Sequence, residues 1–164
     1  MSVWTEVHCE MKFPEPVTAE TLEKFFGKEL KLKFISYNSY YDVVDDKHVF
    51  DKDAYERDCE EAHKQNEREW KAFDGHEDEY LPTGSEGSLH YVKSRRIARK
   101  TDDGRYKYTI TGSLRDYADV EHIIKWFNRA FLGLILEHND WNNPYGKVTA
   151  SMGVGELIWR YGKE

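Results

Sequence analysis

Val3, Thr5, Val7, Cys9, Met11 and Phe13 alternate with Trp4, Glu6, His8, Glu10 and Lys12. A period of two predicts a strand with one buried face. Pro14 and Pro16 end it, because proline lacks the N–H that a ladder needs. Thr18 then suits a helix N-cap, with Leu22, Phe25, Phe26 and Leu30 at helical spacing. Residues 31–37 read as a second strand that runs on through Tyr40, Tyr41, Val43 and Val44.

A longer helix is predicted from Asp51 or Asp53 to about Phe73. Tyr55, Cys59, Ala62, Asn66, Trp70 and Phe73 recur at three- and four-residue steps, which makes a narrow inward stripe. Residues 74–87 read as a loop. Residues 88–99 and 105–114 read as a β-hairpin, with Gly104 supplying the positive φ of its turn. Asp116 or Asp119 caps a helix whose stripe is Val120, Ile123, Ile124, Phe127 and Phe131. After a loop at 139–146, residues 147–152 alternate again, and residues 156–161 close the chain as a strand or hairpin arm.

The order is β-α-β, an extra helix, then β-β-α-β. It predicts one α+β domain over residues 1–164: an antiparallel sheet with two helices packed on one face, ferredoxin-like in its leading form. A charged helix and loop are inserted at about residues 45–87.

Charge changes the picture most. Residues 45–79 hold fourteen Asp/Glu and six Lys/Arg, a net of −8, while the whole chain is −7. The remainder therefore sums to +1, and one acidic element stands on a near-neutral domain. Such a field acts on partners and encounter rates rather than on fold. Aromatics make up 15% of the chain, more than disordered chains carry. Two cysteines, Cys9 and Cys59, make no disulfide framework. With no secretory leader and no membrane-length apolar run, the expectation is a cytoplasmic protein with reduced thiols.

Chemistry-bearing patterns are few. Cys59 and His63 stand at i,i+4 with Glu67 one turn on, a spacing that can offer ligands to zinc. No Cys-x-x-Cys or His-Glu-x-x-His completes a site, and Cys59 also belongs to the inward stripe. Gly84-Ser85-Glu86-Gly87 matches a nucleophile elbow only loosely, and Thr149–Gly153 lacks the first glycine. Gly153-Val154-Gly155 has no third glycine or following helix, so it reads as a bulge or tight bend. No cofactor is expected.

Lys93, Arg95, Arg96, Arg99, Lys100, Arg105 and Lys107 fall in one hairpin, interleaved with Tyr91, Tyr106 and Tyr108. Basic and aromatic residues on an antiparallel sheet can stack bases and track phosphates. The RNP1 pattern is absent, and the chain is net acidic. The hairpin could equally pair with the acidic helix of the same chain.

The stretch Thr111-Gly112-Ser113-Leu114-Arg115-Asp116-Tyr117, followed by Ile123-Ile124-Lys125-Trp126-Phe127, resembles small accessory proteins of bacteriophages and mobile elements. That resemblance implies a protein that contacts host machinery, in some cases a CRISPR-type defence complex. Three expectations follow. The first is a non-enzymatic binding or regulatory protein, an inhibitor of a nucleic-acid-processing or defence complex. Its surface would be Asp53, Glu56, Asp58, Glu60, Glu61, Glu67, Glu69 and Trp70. The second is a nucleic-acid-binding domain that uses the basic hairpin. The third is a small enzyme or metal protein centred on His63 and nearby acids.

Overall fold

The computed structural model describes residues 3–92, 99–117, 119–153 and 155–164. The chain divides into two compact units, a sheet unit of residues 1–29 and 77–164 and an inserted unit, Leu30–His76. The insertion therefore begins well before residue 45 and ends before residue 87.

In the sheet unit the alternating segment forms strand β1 (Trp4–Phe13), burying Thr5, Val7, Cys9, Met11 and Phe13. Val3 lies outside the strand and is exposed. Helix α1 (Ala19–Phe26) is capped by Thr18, whose Oγ1 accepts from the Thr21 N–H at 3.2 Å. Gly27, at φ 119°, ends it. A Cβ there would stand 2.5 Å from the Tyr80 carbonyl carbon, so only glycine fits. That close approach is a short bridge: the Lys28 N–H donates to the Glu79 carbonyl and the Leu81 N–H to the Lys28 carbonyl, both at 2.9 Å. The chain leaves for the insertion just after this bridge and returns just before it.

The insertion contributes β2 (Tyr41–Val44), β3 (Lys47–Phe50) and α2 (Lys52–Phe73). The sheet unit resumes with β4 (His90–Tyr91), β5 (Arg99–Lys100), β6 (Tyr106–Arg115), α3 (Val120–Glu137), β7 (Tyr145–Met152) and β8 (Gly155–Tyr161). Its strand order is β4-β6-β1-β7-β8, with β5 also on β6, and every pairing is antiparallel. The α+β class and the antiparallel sheet are as expected. The sheet is larger than a ferredoxin-like β-α-β-β-α-β unit requires.

Asp119 caps α3, its Oδ1 accepting from the His122 N–H at 3.2 Å. Leu22 and Phe26 of α1 share one core with Ile123, Phe127, Phe131 and Leu134 of α3 and the inward residues of β1, β6 and β7. The Trp126 indole N–H donates to the Phe26 carbonyl at 3.0 Å, which satisfies a buried donor. Cys9 is fully buried, and burial pushes its thiol well above the ordinary range. Gly146 on β7 makes room for α3: a Cβ there would lie 2.7 Å from the Phe131 ring. Gly153 turns at φ 58° and Met152 pairs with Gly155, the tight bend the sequence suggests.

The insertion differs from its sequence reading. Residues 31–37 form no strand. The backbone is held by α2 instead: the Lys33 N–H donates to Asn66 Oδ1 at 2.7 Å, and Asn66 Nδ2 donates back to the Lys33 carbonyl at 2.9 Å. Residues 41–50 form a hairpin, β2–β3, turned by Asp45 (φ 50°) and Asp46 (φ 60°). Two consecutive left-handed residues are the geometry of a tight primed turn. Asp51 caps α2, accepting from the Ala54 N–H at 3.1 Å.

Candidate functional site

The acidic segment is built around α2, whose 22 residues span about 33 Å. Ala62 is buried at the middle of its inward stripe. At 100° per residue Trp70 falls roughly 80° from Ala62, and Glu69 only about 20°. The exposures follow that geometry, with Trp70 43% exposed and Glu69 half-buried. Trp70 therefore leaves the expected inward stripe. It stands edge-on to Phe73, ring centres 5.5 Å apart.

Asp58 is also half-buried. Its Oδ2 accepts from the Tyr40 hydroxyl at 2.6 Å, and this bond pushes the Tyr40 phenol up to about 12. Tyr40, Tyr37, Phe50 and Tyr55 form an aromatic cluster, with the Tyr37 and Phe50 rings stacked at 4.6 Å. The cluster seats the β2–β3 hairpin on the first turns of α2. Asp58 is thus a structural carboxylate, and Glu69 lies at the flank of the packed stripe.

Asp53, Glu56, Glu60, Glu61 and Glu67 are exposed. Three of them pair along the helix: Glu56 with Lys52 at 3.8 Å, Glu60 with Lys64 at 3.4 Å and Glu67 with His63 at 3.1 Å. Over Lys52–Phe73 seven acids meet five bases, a net of −2. The rest of the −8 lies at the helix flanks, −2 over residues 45–51 and −4 over residues 74–79. The acidity is concentrated beside the helix ends rather than along its body.

The insertion instead presents apolar surface. Phe34 is 85% exposed, and Val43, Val44 and Val49 of the hairpin are 48–62% exposed. With Tyr37, Tyr41 and Trp70 they make seven of the fourteen exposed large hydrophobics among the described residues, in a unit of only 47. The sequence reading did not find this surface. Val43-Val44 directly before the two-residue Asp45-Asp46 turn was the available signal.

Four described residues of the basic hairpin have internal duties. The Tyr91 hydroxyl donates to the Gly27 carbonyl at 2.6 Å, and burial pushes that phenol far up. Tyr108 ties β6 to the chain before α1, its hydroxyl donating to the Val17 carbonyl at 3.0 Å and accepting from the Val17 N–H at 2.6 Å. Arg105 is buried, and its guanidinium donates to Asp103, to the Asn143 carbonyl at 3.2 Å and to the Lys163 carbonyl at 2.7 Å. Lys107 pairs with Glu10 at 3.4 Å. Arg99 and Lys100 pair with β6 through β5. Lys93, Arg95 and Arg96 lie outside the described residues.

His63 is exposed and bonded to Glu67, while Cys59 is half-buried beside Tyr55. Among the described residues no group of three or more His, Cys, Asp or Glu side chains is placed to hold a metal ion. The Ser85 hydroxyl donates to the Arg115 carbonyl and to Asp116 Oδ2, both at 3.2 Å, and is bonded into its turn. No helix among the described residues is long and apolar enough to cross a membrane. No protein-family model matches the chain, and no curated protein or solved structure matches it either.

Proposed function

We propose that this chain is a non-enzymatic binding protein whose inserted unit, Leu30–His76, is the recognition element. The observation that carries the reading is the exposed apolar set Phe34, Val43, Val44, Val49 and Trp70 on a unit whose buried apolar side chains are Leu30 and Ala62. Apolar surface exposed on a small unit suits contact with another macromolecule. Trp70 and Phe34 are the anchors, since aromatic side chains dominate binding energy. The unit carries twelve acids against eight bases, a net of −4. Its partner is therefore a protein with an apolar pocket rimmed by basic residues. A nucleic-acid-handling or defence complex of a host offers such basic surfaces, and on that reading the chain is an inhibitor carried by a phage or mobile element. The order of strands and helices in the sheet unit supports a ferredoxin-like core with β8 added, serving as the scaffold. The reading in which the basic hairpin binds nucleic acid is less well supported, because Tyr91, Tyr108 and Arg105 spend their polar atoms on internal bonds.

The test reverses exposed acids and removes an anchor. Asp53→Lys with Glu56→Lys, Glu60→Lys and Glu67→Lys is expected to weaken binding to a captured host partner about tenfold at ~0.05 M salt and much less at ~0.3 M. Trp70→Ala is expected to weaken it by a similar factor at both salts. Both variants keep the wild-type melting temperature within a few degrees, since surface changes of this kind alter stability by about 0.5 kcal/mol. Unchanged affinity in both variants refutes the proposal.

A further inference from the structure

On the β6 side the described residues of the sheet edge are β4 and β5, two residues each. On the other side β8 runs seven residues, Gly155–Tyr161, with neither Pro nor Lys. Its only strand partner among the described residues is β7, so one side of its backbone has no ladder. Leu157, Ile158 and Tyr161 are 41%, 48% and 39% exposed.

The sequence of β8 complements itself. Glu156, Ile158 and Arg160 lie on the helix-free face, and Leu157, Trp159 and Tyr161 on the face that carries α3, because side chains alternate along a strand. An antiparallel pairing of β8 with the β8 of a second copy, centred on Ile158, sets Glu156 opposite the second copy's Arg160, twice by symmetry. It also sets Leu157 opposite Trp159. A pairing shifted by one residue along the partner separates the charges, so they specify the register.

Within one chain the cross-strand neighbour of Arg160 on β7 is Lys147, a like charge, and the neighbour of Glu156 is Ser151. Like charges directly opposite one another are unfavourable. Beside the edge, Glu121, Ile124 and Lys125 of α3 line a groove of about 290 Å³ with Leu157. A continuous sheet brings both copies of this groove to the same side, where the two Leu157 side chains are diagonal neighbours.

We propose that the chain forms a two-fold dimer through the β8 edge, joining two sheets into one, with Ile158 on the axis and reciprocal Glu156–Arg160 pairs. A self-complementary patch of this kind closes with two copies. The test is sedimentation equilibrium of the full chain. Wild type is expected to dimerise. Glu156→Lys and Arg160→Glu each alter both symmetric pairs, and each is expected to weaken the dimer about tenfold. The doubly exchanged variant, Glu156→Lys with Arg160→Glu, restores the opposite-charge pairs and returns the dissociation constant to within about twofold of wild type. A wild-type monomer at all concentrations overturns the proposal. So do single variants that associate like wild type, or a double variant no better than the singles.

Discussion

Phe131→Ala is expected to lower the stability of the sheet unit by about 3–5 kcal/mol, the usual cost of deleting a buried aromatic ring. Phe131 is fully buried, and its ring lies 5.4–5.9 Å from those of Phe13, Phe127, Trp159 and Tyr161. The surroundings cannot collapse into the void easily, because Gly146 already brings the β7 backbone against that ring. Natural domains hold only about 5–15 kcal/mol in all, so the loss is a large share of the total. The melting temperature should fall by roughly 10 °C. A urea titration checks it, with the midpoint shifting at unchanged slope. Leu136→Ala, on the same helix but 75% exposed, serves as the comparison and should stay within about 0.5 kcal/mol. Equal effects at the two positions would contradict the packing described here.

Arg105→Met is the second large effect, about 2–3 kcal/mol. The side chain keeps its bulk but withdraws a buried guanidinium from Asp103 and from the carbonyls of Asn143 and Lys163. Those carbonyls anchor the loop before β7 and the end of the chain after β8. The same contact has a pH signature. Arg105, with Thr101, holds the Asp103 carboxyl well below the usual range. A carboxyl lowered in the folded state stabilises it fully above its unfolded pKa, and that stability is lost as pH falls from there towards the folded value. Wild type should therefore lose stability on acidification below about pH 4 more steeply than Asp103→Asn. Parallel acid limbs in the two proteins would contradict the assignment.

The sheet unit is largely legible in the sequence because its signals are periodic and long. The β1 alternation and the stripe of α3 each describe one face of one element. The caps Thr18, Asp51 and Asp119 lie where a side-chain oxygen can reach the N–H of the third residue on. The insertion is harder because its determinants are not periodic. The turn at Asp45-Asp46 uses two left-handed aspartates where Asn-Gly is the strong hairpin signal. Residues 31–37 have the composition of a strand, yet their backbone partners are the side chains of Asn66 and Gln65, more than thirty residues away.

Charge counting located the acidic segment but not its shape. Asp58 and Glu69 belong to the half-buried flank, and the net charge gathers at the ends of α2. The roles of Tyr91 and Tyr108 were hidden for the same reason as those of Asn66. Each hydroxyl serves backbone atoms distant in sequence, Gly27 for one and Val17 for the other. Composition alone makes such tyrosines look like stacking platforms.

The central claim is that recognition resides in the insertion and support in the sheet. Among the described residues the main buried cluster lies wholly in the sheet unit, and the Lys28–Tyr80 bridge closes the point of insertion. The direct measurement replaces Leu30–His76 with a short Gly/Ser linker and follows both folding and capture of the proposed partner. The shortened chain is expected to unfold cooperatively, keep the near-ultraviolet signal of its buried aromatics and capture no partner. A shortened chain that folds and still captures the partner with wild-type affinity would contradict the account.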